Sequence, residues 1–190
     1  MGTVHKYTNK RKSRTCNLHL CSAISLVGNY GMPALKPFSG EIPDMLIPFN
    51  QAMTSRQYGC GVHFFIDDYQ FERVWRQPEK YIDVLRRYKC VLAPDFSVFI
   101  NASMTVNLWN LYRNRVLAAY WQENAINVIP TASWSNLDSL SYCFDGLPKG
   151  GTIAVGSVAV GKHNITKLLW ENGANRMVEV LKPETILVYG

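Results

Sequence analysis

The chain has 190 residues, of which 47% are apolar and 18% are charged, and this composition excludes a disordered or fibrous protein. No stretch approaches the roughly 18 uninterrupted apolar residues of a membrane span. Five cysteines are too few and too scattered for a disulfide scaffold. We therefore expect one globular domain with a short appendage and no membrane partner.

The net charge of +6 is concentrated near the start of the chain. Residues 1–40 carry six basic groups and no acid, whereas the rest holds 14 basic and 14 acidic groups. We interpret residues 1–15 as a basic arm that could contact the phosphates of a nucleic acid without base specificity. A frayed, solvated terminus is the alternative. The basic residues of this arm are Lys6, Lys10, Arg11, Lys12 and Arg14.

The same region imitates a secretory signal peptide, with basic residues followed by a short apolar run from Leu18 to Val27. His19 and two serines interrupt that run, and no small-residue cleavage site closes it. The sequence therefore favours a cytoplasmic protein.

Residues 16–190 are predicted to form a single α/β domain with an irregular lead-in, rich in proline and glycine, to about residue 61. Short apolar runs then alternate with segments of helical periodicity. The predicted strands are Val62–Ile66, Cys90–Ala93, Asn127–Ile129, Thr152–Val155 and Thr185–Val188. The predicted helices are Pro78–Tyr88, Met104–Asn124, Leu137–Phe144 and Ile165–Leu181.

Strands this short and apolar are typical of a mostly parallel sheet of about five strands flanked by helices. Five strands are too few for a complete (β/α)₈ barrel, so we favour an open, doubly wound sheet over a partial barrel. A stripe along the long helix is predicted to face the sheet: Thr105, Leu108, Trp109, Tyr112, Val116, Ala119 and Tyr120.

Carboxylates follow two of the predicted strands, at the edge where parallel sheets bind ligands. Asp67 and Asp68 come after the first strand and Asp95 after the second. Asp67 and Asp95 could bind Mg²⁺ or Mn²⁺ as ligands. Two of these carboxylates could instead act as a general acid and base. Alternatively, the three aspartates cap helices or begin turns.

Other polar and aromatic residues near the strand ends are candidates for ligand binding. Arg113 and Arg115 are roughly 200° apart on a helix, so at most one can face such a site and a structural ion pair is expected for the other. Lys149 lies beside two glycines, Gly150 and Gly151, but the order of residues is wrong for a P-loop. The full set of candidates is Ser97, Asn110, Arg113, Arg115, Thr131, Ser133, Trp134, Asp145, Lys149 and Ser157.

Two segments contain cysteine and histidine: one has Cys16, His19 and Cys21, and the other has Cys60 and His63. If the segments met they could bind zinc, but their spacing matches no standard ligand pattern, so zinc is not expected.

Several segments in order resemble one known family. They are Asp95-Phe96-Ser97, Trp109 to Arg115, Tyr120-Trp121-Gln122, Val128 to Trp134 and Cys143 to Gly150. Together they cover about residues 64–190 and are similar to a domain-of-unknown-function family (number 4417) of bacteria, phages and other mobile elements. The resemblance implies no activity. This chain also has Asn101-Ala102-Ser103-Met104 where the family usually has an Asp-Met-Pro-like segment.

Three functions are compatible with these observations. The favoured one is binding of a nucleic acid or a nucleotide by strand-end residues and the basic arm. The second is a metal-dependent enzyme acting on a phosphate ester through the strand-end aspartates. The third is a protein that binds a host or phage partner without chemistry, since aromatic residues near the strand ends suit a protein contact equally well.

Overall fold

The computed structural model describes residues 14, 16–158, 160 and 164–190. The strands are β1 (Leu26–Val27), β2 (Met32–Pro33), β3 (Leu46–Pro48), β4 (Gly61–His63), β5 (Cys90–Leu92), β6 (Val128–Ile129), β7 (Thr152–Gly156) and β8 (Thr185–Tyr189). The α-helices are α1 (Phe49–Ala52), α2 (Asp68–Arg76), α3 (Ile82–Leu85), α4 (Met104–Glu123) and α5 (Asn164–Leu181). Short 3₁₀ helices span Leu18–Cys21, Pro78–Tyr81 and Leu137–Ser141.

Six parallel strands, β3 to β8, lie side by side in sequence order. β3, β4, β5 and β6 form one parallel sheet, and β7 pairs with β8 in parallel. A parallel bridge between Thr131 and Ala154 joins the two groups just beyond the end of β6. All the carboxyl ends therefore lie along the same edge.

The two faces of this sheet are covered differently. One face carries Val62, Phe64, Val91 and Val128, which belong to the large core that contains the buried residues of the helices. The opposite face carries Cys90, Leu92, Ile129 and Ala154, which form a smaller cluster with Phe38 from the lead-in. Right-handed crossovers between sequential neighbours place the helices on one face, so the lead-in must cover part of the other.

The predicted α/β fold with a mostly parallel sheet flanked by helices is confirmed. Within that class, the order of the described strands never reverses, so they contain no switch point of the kind that defines a doubly wound sheet. The sequential order is instead the one expected of a partial barrel. Among the described residues, no helix is both long enough and apolar enough to cross a bilayer.

The structure corrects several predicted elements. The segment Leu137–Phe144 is a 3₁₀ helix of five residues rather than an α-helix, and Pro78–Tyr88 is divided into a 3₁₀ turn and the short α3. The helix α2 was not predicted, although Phe71, Val74 and Trp75 have helical spacing and are buried.

The lead-in is more regular than predicted. It contains the antiparallel pair β1–β2 and the edge strand β3, in which Pro48 is tolerated because the outer side of an edge strand needs no ladder bond. The lead-in is tied to the body where the Leu35 amide donates to the Gly146 carbonyl over 2.8 Å.

Gly146 provides a test of this attachment. Its φ is +81°, and a Cβ there would lie 2.5 Å from the Pro33 carbonyl oxygen, which is backbone and cannot move aside alone. We predict that Gly146→Ala lowers the free energy of unfolding by at least about 2 kcal/mol in chemical denaturation. Gly31→Ala is the matched control, because φ is +62° there but nothing lies within 4 Å of the added Cβ. Equal losses for the two variants would contradict the prediction.

Candidate functional site

A cavity of about 280 Å³ lies at the carboxyl ends of β5, β6 and β7. Its position follows from the topology, because loops leaving adjacent parallel strands converge at this edge. The described residues that line it are Asp95, Ser97, Val98, Phe99, Ala132, Ser133, Trp134, Gly156, Val160 and Trp170. Its volume lies just below the range of about 300–1,000 Å³ that is typical of small-molecule sites.

Asp95 is the ionisable side chain that lines this cavity. Its Oδ1 atom accepts a short hydrogen bond of 2.5 Å from the Ser133 hydroxyl, which follows β6 on the neighbouring strand. Burial raises the pKa of Asp95 to about 6; the Ser133 hydrogen bond opposes this shift and the charge of Asp68 adds to it. Asp95 is therefore largely ionised at pH 7 but is easily protonated.

Asp68 fixes the loop that carries Asp95. As the first residue of α2, it accepts the Ser97 hydroxyl at 2.9 Å and the Ser97 amide at 3.2 Å on each oxygen. These bonds join the loop after β5 to the start of α2. Asp67 is exposed and makes no side-chain capping bond.

Two tryptophans form an aromatic side of the cavity. The Trp134 and Trp170 rings are 6.1 Å apart with an interplanar angle of 43°. The Trp170 Nε1 donates to the Gly156 carbonyl at 3.0 Å, and Trp134 packs so closely on α5 that a Cβ at Gly173 would lie 2.0 Å from its Nε1. Trp170 is not among the site residues predicted from the sequence, because nothing in the sequence around it indicates that α5 returns to this edge of the sheet.

The helix α4 holds the loop beneath the cavity with a buried row of asparagines. Asn107 bonds to both the amide and the carbonyl of Phe99, at 2.9 and 3.0 Å, and to the Ser135 hydroxyl at 3.2 Å. Asn110 donates to the Ser97 carbonyl and Asn114 to the Pro94 carbonyl, both at 2.5 Å. This polar row is turned inward, whereas Thr105 and Trp109 of the predicted sheet-facing stripe are exposed.

The two arginines of α4 have different surroundings. Arg113 pairs with Glu72 at 2.7 Å and lies over the Phe96 ring, with its guanidinium carbon 3.8 Å from the ring centre. Arg115 is fully buried and donates to the Asn114 side chain and to the Cys143 and Asp145 carbonyls at 2.5, 2.8 and 3.0 Å. Burial lowers the pKa of Arg115 to about 10, so it stays charged at neutral pH.

The remaining candidates lie outside the cavity. Thr131 donates to the Ala93 carbonyl at 3.0 Å, and Ser157 donates to the Tyr189 carbonyl at 3.2 Å. Lys149 is exposed and precedes β7, so about 16 Å of strand separates it from the carboxyl edge. The Asp145 carboxylate packs against Gly28 in the β1–β2 turn. The structure thus brings Asp95, Ser97, Ser133 and Trp134 together, and leaves Thr131, Ser157, Lys149 and Asp145 apart from them.

The described residues contain no group of three or more histidine, cysteine, aspartate or glutamate side chains placed to hold a metal ion. His19 pairs with Glu79 at 3.3 Å, and burial lowers the pKa of His63 to about 4. His63 instead packs against Tyr189, with 4.3 Å between the ring centres and an interplanar angle of 35°. The magnesium or manganese site at Asp67 and Asp95 stays a prediction.

The basic arm is described at one residue only. Lys6, Lys10, Arg11 and Lys12 lie outside the described residues, and Arg14 is exposed. The Arg14 carbonyl accepts from the Asn17 amide, and the Asn17 side chain donates to the Trp75 carbonyl at the far end of α2 from Asp68. Arg14 therefore lies near the C-terminal end of α2, and the cavity lies near its N-terminal end.

The raised pKa of Asp95 makes stability depend on pH. Because the folded protein binds this proton more tightly than the unfolded chain, stability falls as pH rises from about 4 to about 6. We predict that Asp95→Asn removes this fall and stabilises the protein by up to about 3 kcal/mol at pH 7, but little at pH 4. Denaturation of both proteins across this range measures it, with the exposed Asp44→Asn as control. A difference that does not vary with pH would contradict the prediction.

Comparison with known proteins places this chain in a family. A family model described as a domain of unknown function (DUF4417) matches residues 24–190. The Gene 1 protein of Mycobacterium phage L5 is 35% identical over 193 residues, covering 100% of this chain and 82% of that protein. The Gene 1 protein of Mycobacterium phage D29 is 35% identical over 165 residues, covering 85% of this chain but only 60% of that protein. No solved structure matches the chain significantly. The chain belongs to the domain-of-unknown-function family DUF4417 and is a phage-type member of it, as the resemblance of its motifs implied.

Proposed function

We propose that this protein binds a nucleotide or a nucleic acid by admitting one base into the cavity at the carboxyl ends of β5, β6 and β7. The observation that supports this most is the meeting of two tryptophan rings, Trp134 and Trp170, with a carboxylate, Asp95, in one small cavity. Aromatic rings stack on the faces of bases, and carboxylates accept hydrogen bonds from base edges.

The phosphates are assigned to the outside of the cavity. None of the described residues that line it is cationic, and an ionised Asp95 repels a phosphate. Arg113 and Arg115 were predicted from the sequence as ligand-binding residues, but both have partners within the protein. Arg113 pairs with Glu72, and Arg115 donates to backbone carbonyls. We assign the phosphates of a longer strand to the basic arm, because residues 1–15 carry basic residues and no acid.

The metal-dependent phosphoesterase has less support. Asp68 and Asp95 are close enough for the charge of one to affect the other, which favours a shared cation. However, both Asp68 oxygens already accept from Ser97, and Asp67 is exposed. It remains the second candidate, and it requires Mg²⁺ or Mn²⁺ to stabilise the protein in an Asp95-dependent way.

Removal of an aromatic ring tests base binding. We predict that Trp134→Ala weakens binding of cytidine 5′-monophosphate at least fivefold, because stacking contributes about 1–3 kcal/mol per base. Isothermal titration calorimetry measures the affinity, and the melting temperature reports on folding. The control is Trp109→Ala, which removes a 38% exposed tryptophan that packs on Trp75 and Tyr112. Saturable binding that Trp134→Ala leaves unchanged would contradict the proposal.

The arm is tested separately with an oligonucleotide. We predict that replacing Lys6, Lys10, Arg11 and Lys12 by alanine in the full chain weakens binding of oligo(dC) and flattens its salt dependence, since each lost phosphate contact reduces the slope by about 0.7. Binding of cytidine 5′-monophosphate is expected to change little. An unchanged salt slope for oligo(dC) would remove the arm from the proposal.

A further inference from the structure

We propose that the cavity selects bases that carry an exocyclic amino group, with cytosine preferred over uracil. This inference rests on the proposed function, since it names which base the same site accepts. Its basis is the direction of each hydrogen bond in the cavity lining.

Most side-chain donors of the lining are already used within the protein. The Ser97 hydroxyl donates to Asp68, and the Ser133 hydroxyl donates to Asp95. The indole N–H of Trp170 donates to the Gly156 carbonyl, whereas that of Trp134 lies beside Gly173 of α5 and has no hydrogen-bond partner among the described residues. The hydroxyl groups and the Trp170 indole of the described lining therefore leave no donor for a base carbonyl, and the Trp134 indole is the side-chain donor that stays open.

The acceptors, in contrast, remain open. The Asp95 Oδ2 atom takes no hydrogen bond among the described residues and lies beside Gly156, where a Cβ would be 3.7 Å away. The Ser133 oxygen donates its proton to Asp95 and keeps its lone pairs. Both Asp95 and Ser133 line the cavity. A bound molecule must thus present N–H or O–H donors to this side.

These open acceptors favour cytosine over uracil because the two bases differ at one position of the edge that would face Asp95. Cytosine presents its amino group beside an unprotonated ring nitrogen, and a carboxylate accepts well from the amino group. In the same orientation uracil directs its O4 carbonyl at the Asp95 carboxylate, where it has no donor, and its N3–H reaches the carboxylate only if the ring shifts. A buried carbonyl left without a partner corresponds to a discrimination of about fivefold or more.

The test compares two nucleotides that differ at this position. We predict that cytidine 5′-monophosphate binds at least about fivefold more tightly than uridine 5′-monophosphate at pH 7.5 by calorimetry. Asp95→Asn should reduce the ratio to within about twofold, because an amide can donate as well as accept. The control is Asp44→Asn, an exposed aspartate at the opposite end of the sheet, which should keep the preference for cytidine. The ratio should also shrink at pH 5, since protonated Asp95 becomes a donor.

The outcomes separate this inference from the proposed function. Equal affinities, both lowered by Trp134→Ala, would overturn the preference and leave base binding standing. A tighter complex with uridine, or a cytidine preference that survives Asp95→Asn in a folded protein, would also overturn it. No binding of either nucleotide or of oligo(dC) would overturn the proposed function and the inference together.

Discussion

The buried charge of Arg115, together with the asparagines beside it on α4, is the constraint on which the carboxyl edge of this sheet depends. Loops that leave parallel strands carry backbone groups that no ladder satisfies, and when buried these need partners. Arg115 satisfies the Cys143 and Asp145 carbonyls, and Asn110 and Asn114 satisfy those of Ser97 and Pro94. One helix thereby fixes the loop after β5, which lines the cavity, and the connection between β6 and β7. Among the described residues Arg115 has no carboxylate bonded to it, and its contribution is the set of hydrogen bonds that it donates.

Once these loops are fixed, Asp95 is held where an ionised carboxylate is costly. Its hydrogen bond from Ser133 offsets only part of the cost of burial, as its raised pKa shows. A protein can keep such a group when the free energy is recovered in binding. The tryptophans supply apolar surface beside it, and that combination suits a flat molecule with N–H groups better than a free phosphate.

The sequence predicts some of this arrangement and misses the rest for definite reasons. Short apolar runs located five of the six parallel strands, and the rule that their ends share an edge brought Asp95, Ser133 and Trp134 together. The strand β3 was missed because Pro48 and the neighbouring turns suggested irregular chain. The inward face of α4 was missed because apolar periodicity assigns asparagines to solvent, whereas here unsatisfied carbonyls attract them. The spacing of Asn107, Asn110 and Asn114 on one helical face was the available signal.

A crystal structure of the protein grown with cytidine 5′-monophosphate would test the central claim most directly. We predict that the cytosine ring lies against Trp134 and Trp170, with its amino nitrogen about 2.9 Å from an Asp95 oxygen and its phosphate outside the cavity. A nucleotide bound elsewhere, or held with its phosphate in the cavity, would contradict the assignment of this site to a base.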